Sequence, residues 1–198
     1  MNLNSNSVIH LVVDMLYDFI DGTLACNNAL PAVQKSIEYI NRNPLQKVIY
    51  ICDNHPADHC SFIPNGGTWP PHCVAGTRGQ FIHDDFYSKI VQESSRPGSS
   101  NIFYKGQCKT EEQYSAIEAI SKYGEFISEF LKSAYPTSGD SLVVISGIAT
   151  EFCVMESTLD LLKAGCKVYI VTDALAYVDR QGHTDTLRIL KGKGAILI

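Results

Sequence analysis

A chain of 198 residues, 45% of them hydrophobic, is long enough for one well-buried core and short for two independent domains, so a single domain over 1–198 is expected. The formal charge of −5 is spread without long like-charge runs, which leaves no basic stripe to follow phosphates and argues against a nucleic-acid partner. No apolar run reaches the length of a membrane span and the opening MNLNSNS is polar, so a soluble cytoplasmic protein with no membrane partner is expected.

Six short apolar, β-branched runs recur in chain order, at 8–13, 47–52, 101–104, 142–146, 167–172 and 195–198. Helical spacing lies between most of them: Val33, Ile37 and Ile40 share one face of 31–40, and 114–131 and 154–163 carry a similar pattern. Buried strands alternating with helices imply a three-layer α/β/α fold with a central, mainly parallel six-stranded sheet. Asp14, Asp53, Lys105, the 147–153 turn and Asp173 each follow one strand, so in an open parallel sheet they are expected to converge on one rim. The connection over about 53–100 breaks the alternation, carrying five prolines and four of the six histidines. A loop of this length inside a compact domain is usually functional.

Three stretches could carry chemistry. The run Gly147-Ile148-Ala149-Thr150-Glu151-Phe152-Cys153-Val154 reads as strand, turn and helix. That places Cys153 in a first helical turn, where free amides and the helix dipole favour a thiolate. Free cysteines are also common small core residues. Asp53-Asn54-His55, with His59 and His72 further on, offers a carboxylate and imidazoles to a first-row metal ion, though loop histidines are often only solvated. His72-Cys73-Val74-Ala75-Gly76-Thr77-Arg78 invites comparison with a phosphatase loop, but it has one residue too few between cysteine and arginine and no clean strand before it. No glycine pattern indicates a nucleotide cofactor. Seven cysteines, an odd number without a C-x-x-C pair, fit a reducing compartment. By residue type alone, Tyr104, Tyr114, Phe126 and Phe130 read as core, whereas Phe19 and Trp69 stand close enough to candidate site residues to wall a flat apolar substrate.

These residues resemble the isochorismatase-like cysteine hydrolases, and within them the nicotinamidases and pyrazinamidases, along nearly the whole chain. Val12-Val13-Asp14-Met15-Leu16-Tyr17-Asp18-Phe19 is similar to the family's first-strand segment, with Asp14 as catalytic acid. Asp53 to Phe62, followed by Gly67-Thr68-Trp69-Pro70-Pro71-His72, resembles the nicotinamidase metal loop. The resemblance implies Asp53, His55 and His72 as ligands of one divalent metal ion, zinc first with iron or manganese as alternatives. His59 becomes a further ligand or a group behind the ligands. Tyr104-Lys105-Gly106 matches the segment of the catalytic lysine, and Tyr114-Ser115-Ala116 the motif after it, which adds Tyr114 to Phe19 and Trp69 as substrate-binding.

By the same resemblance Cys153 is the nucleophile, and the amides of Ala149 and Cys153, beside a cis bond between Ile148 and Ala149, form an oxyanion hole. The implied reaction is metal-dependent hydrolysis of nicotinamide to nicotinate and ammonia through a cysteine thioester. A heteroaromatic amide is the expected partner, and pairing into a homo-oligomer stays open. Leu16 and Asn54 depart from the family, which usually has glutamine and frequently tryptophan there. A metal-free amidohydrolase acting on carbamoyl or ureido substrates and a non-catalytic metal-binding redox module are the alternatives.

Overall fold

The computed structural model describes residues 3–134 and 141–198. Strand β1 (Val8–Val13) is buried at every position because it is sandwiched in the sheet between two parallel neighbours, β2 (Lys47–Asp53) and β5 (Leu142–Gly147). Strand β3 (Ile102–Lys105) extends the sheet beyond β2, while β6 (Lys167–Leu175) and β7 (Ile196–Leu197) extend it beyond β5, all in parallel. The six expected strands therefore form. A seventh, β4 (Ile120–Ser121), adds an antiparallel edge, giving the order β4-β3-β2-β1-β5-β6-β7.

Period-two burial builds the layers. Val12, Val48 and Tyr50 face helix α2 (Ala29–Arg42) and meet Ala32, Val33, Ile37 and Ile40. Leu11, Val13, Ile49 and Ile51 face the other way, toward α4 (Ile127–Ala134), α5 (Met155–Lys163) and α6 (Arg180–Gly192), and meet Ile127, Leu131, Leu161 and Leu190. Each such side chain removed from water contributes roughly 1.5–3 kcal/mol.

The helix expected over 114–131 does not form as one piece. Ala116–Glu118 is a 3-10 turn, Ile120–Ser121 pairs with β3, and only Ile127–Ala134 is α-helical in that region. Ser121 explains the break: its Oγ accepts from the N–H groups of Tyr123 (3.3 Å) and Glu125 (3.2 Å), while Gly124, at φ +85°, turns the chain back. Donors that a helix would use are drawn into a local turn. The connection 53–100 is tied down by short pieces, among them α3 (Asp85–Ser88), and by bridges His55–Val74, Phe62–Trp69 and Leu16–Ile82.

The chain crosses from one side of β1 to the other between β3 and β5, so the sheet has its switch point at the β1/β5 boundary. A crevice opens outside the carboxyl ends of strands at such a point. Gly147 (φ +153°) closes β5 against β1 there: a Cβ would run into the Val13 backbone. No helix among the described residues is long and apolar enough to cross a membrane.

Candidate active site

Four of the five strand-end groups meet at the switch point. Asp14 follows β1 with φ +51°, its N–H donating to the Ile51 carbonyl (2.9 Å) and its Oδ1 accepting from the Asp53 N–H (3.0 Å). Asp53 and Lys105 are the last residues of β2 and β3 and register partners, which puts their side chains next to one another. Lys105 Nζ then bridges three groups: Asp14 Oδ2 at 2.9 Å, the Asp53 carboxylate, and Cys153 Sγ at 3.4 Å. All four residues are buried. Asp173 is the exception. Strand β6 runs on past it to Leu175, leaving Asp173 exposed beside Tyr39, Arg42 and Ile198, away from the cluster.

Cys153 lies in a π-helical turn, Thr150–Val154, that precedes α5, and the Ile148–Ala149 peptide before it is cis. The expectation of a thiol depressed by the helix end is not met. Burial pushes the Cys153 thiol well up, and the Lys105 ammonium opposes this only in part. Asp14 is raised to about 6, first by burial and then by the Asp53 charge, against the pull of Lys105. Burial also acts to raise Asp53, but Lys105 and His55 beside it hold its carboxyl below the ordinary range. Burial alone would lower Lys105, yet Asp14, Asp53 and Cys153 around it keep the ammonium charged. A thiol beside a carboxylate that titrates near neutrality is a pair able to exchange a proton.

Asp53, His55 and His72 bring one donor atom each within 4.8 Å of one another. Their imidazoles are anchored through the other nitrogen: His55 Nδ1 pairs with the Gly106 carbonyl (2.8 Å) and His72 Nδ1 with that of Pro70 (2.8 Å). Such bonds fix the tautomer and leave Nε2 to a metal. Gly106 (φ +67°) is required, since a Cβ there would strike the His55 ring. Burial keeps His72 below its ordinary pKa, the neutral form that ligates. His55 differs, because the Asp53 carboxylate outweighs burial and raises it. The donor set fits a small divalent ion with positions left open. His59 stacks near His55 (4.2 Å), but its Nδ1 contacts Ser61 Oγ (2.7 Å) and its Nε2 the Glu111 carbonyl (3.1 Å), so it stands behind the three donors with both nitrogens engaged.

A narrow cavity opens onto these groups, lined by Phe19, Trp69, Tyr114, Phe152, Ala149 and Cys153 together with Asp53 and His72. Trp69 Nε1 donates to Tyr114 Oη (3.0 Å), and the Phe152 ring stands edge-on to Trp69 (5.1 Å). Phe19 sits 5.4 Å from His72. Phe19, Trp69 and Tyr114, expected as substrate-binding, all line this cavity. Leu24, Cys26, Glu112, Phe152 and Val178 also line the cavity and were not anticipated. Phe152 stands next to Cys153 and Glu112 two residues before Tyr114, a signal that could have found them; Leu24, Cys26 and Val178 come from connections without a chemical signature. Leu16 is fully buried in the α2-side core against Ile82, so its departure from the family bears on packing. Cys73 is packed in the same core, and Arg78 pairs with Asp21 (2.9 Å) in solvent, so no phosphatase-like loop is assembled.

Comparison with known proteins gives this fold its relatives. The isochorismatase domain family matches residues 106–198. The nicotinamidase/pyrazinamidase of Mycobacterium tuberculosis is 28% identical over 173 residues, spanning 85% of this chain and 86% of that one. The crystal structure of the pyrazinamidase of Pyrococcus horikoshii in complex with zinc superposes with a TM-score of 0.79 at 28% identity, covering 97% of this chain and 98% of the other. PnC1 from L. infantum in complex with nicotinate gives 0.76 at 27% identity, covering 98% and 93%. The chain thus shares its fold with isochorismatase-like hydrolases, and its residues 106–198 match the isochorismatase domain. The comparisons support an amidohydrolase, since the relatives matched along most of the chain include nicotinamidases and pyrazinamidases.

Proposed function

We propose that the protein hydrolyses nicotinamide to nicotinate and ammonia, using Cys153 as nucleophile and one divalent metal ion held by Asp53, His55 and His72. One observation carries the reading: a buried ammonium, Lys105, touches the carboxylates of Asp14 and Asp53 and the thiol of Cys153, and of these Asp53 and Cys153 line an aromatic-walled cavity. The zinc-bound and nicotinate-bound relatives support the ion and the substrate class.

In this mechanism Asp14 takes the proton of the Cys153 thiol as sulfur adds to the carboxamide carbon. The new oxyanion faces the amides of Ala149 and Cys153, each such donor being worth roughly 3 kcal/mol. Asp14 returns the proton to nitrogen as the C–N bond breaks and ammonia leaves. Water then adds to the thioester with Asp14 accepting its proton, and the C–S bond breaks to free nicotinate and the reprotonated thiol. Lys105 keeps Asp14 and Cys153 in register throughout. Phe19 and Trp69 hold the ring, which makes the attack effectively unimolecular. A bound ion supplies Lewis acidity toward the ring nitrogen or a water.

The test is ammonia release from nicotinamide by the purified protein, before and after chelation, with zinc, manganese or iron(II) returned. Release should fall on chelation and recover with metal. Cys153→Ala should lower kcat by about 10⁴-fold or more while metal stays bound, and His55→Ala should lose both. Turnover retained in Cys153→Ala would overturn the nucleophile assignment.

A further inference from the structure

Nothing in the chemistry above uses Asp18, yet its carboxylate is held more tightly than its half-buried place on a short helix, α1 (Tyr17–Ile20), requires. Its Oδ2 accepts from the N–H of Cys73 at 2.7 Å, the residue that directly follows His72. Cys73 has φ +46°, a left-handed conformation uncommon for a non-glycine residue, which persists where surrounding bonds enforce it. The other oxygen, Oδ1, accepts from the N–H of Thr23 at 3.2 Å, and Thr23 Oγ1 donates to the Pro71 carbonyl at 2.8 Å, on the opposite side of His72. The histidine is therefore flanked by two bonds to one turn, residues 18–23. Glycine at 22 and 79 makes room for the carboxylate, because a Cβ on either would collide with it.

We propose that Asp18, with Thr23, is a positioning residue for the metal group, fixing residues 71–73 so that His72 presents Nε2 toward Asp53 and His55. This rests on the metal reading above. Asp18 touches neither the ion's donors nor the reacting atoms; it acts through the backbone on both sides of a ligand. Groups that orient a ligand from behind typically govern metal affinity by about 10–100-fold.

Both Asp18 oxygens accept from N–H groups, so asparagine is an informative replacement: it keeps the volume but offers one acceptor and turns an NH₂ against a donor. Zinc affinity is measured by competition with a chromophoric chelator at 25 °C for the intact chain, Asp18→Asn and Thr23→Val, alongside the melting temperature of each metal-free form. Asp18→Asn should weaken zinc binding about 10–100-fold, and Thr23→Val, which loses a single neutral hydrogen bond, about fivefold. A carboxylate that only braced its own turn would lower the metal-free melting temperature and leave the zinc affinity of the folded protein unchanged. That result overturns the inference. Should Asp18→Asn fail to fold, Thr23→Val decides alone: unchanged affinity overturns, a fall supports. An unmodified chain that takes up no zinc fails earlier, and removes the metal reading together with this inference.

Discussion

At the scale of single residues, the site is a problem of charge taken out of water. Lys105 sits between two buried carboxylates and a thiol, and its stem is as buried as the core. Breaking such a pair by removing one partner leaves uncompensated charge in a medium of low polarity and typically costs 3–5 kcal/mol. Lys105→Met, close in volume, should therefore destabilise the protein by about 3–5 kcal/mol in urea denaturation, in addition to abolishing turnover. A variant as stable as the parent would mean that Asp14 and Asp53 do not depend on the ammonium. Asp14, Asp53, Lys105 and Cys153 are legible in the sequence because a charged or reactive group at the end of a buried apolar run is conspicuous. Asp18 is not: its two partners, Thr23 and Cys73, lie five and fifty-five residues away, and only the folded turn brings the second within reach.

At the scale of elements, the Thr150–Val154 turn is set by what packs behind it. Thr150 donates its N–H to the Ala176 carbonyl (2.9 Å), and its hydroxyl contacts His183 Nδ1 on α6 (2.9 Å). Glu151 accepts from the N–H groups of Val178 (3.4 Å) and Asp179 (2.7 Å), tying a wall of the cavity to the same turn. Helix α6 is in turn capped by Asp179, whose side chain accepts from the Gly182 N–H at 2.7 Å. Replacing such a cap with alanine costs about 1 kcal/mol, so Asp179→Ala should lower the unfolding free energy by that amount, read as a lower urea midpoint at unchanged slope. An unchanged midpoint would place the helix start elsewhere. The periodic helices around 31–40 and 154–163 were readable because their apolar faces meet the sheet. The 114–131 stretch misleads for a physical reason: Tyr114, Ile117, Phe130 and Leu131 all pack on one core, but through a 3-10 turn, an edge strand and a short helix instead of one continuous face.

At the scale of the whole molecule, the order β3-β2-β1-β5 places the ends of four separate strands at one crevice, and the donors for an ion, at the end of β2 and in the loop after it, meet only when that loop folds back on the sheet. An ion bound there stabilises only the assembled sheet, by about 2.7 kcal/mol when its free concentration is 100 times its dissociation constant. For a chain of this size each kcal/mol moves the melting temperature by roughly 2–4 °C. Chelation should therefore lower the melting temperature by about 5–11 °C, and returning zinc should restore it. The variants divide the cause. Cys153→Ala leaves Asp53, His55 and His72 in place and should keep the full shift, whereas His55→Ala and His72→Ala should lose it. Identical melting of the zinc-loaded and chelated protein would leave the three donors as a polar cluster without an ion, and the chemistry would then rest on Asp14, Lys105 and Cys153 alone.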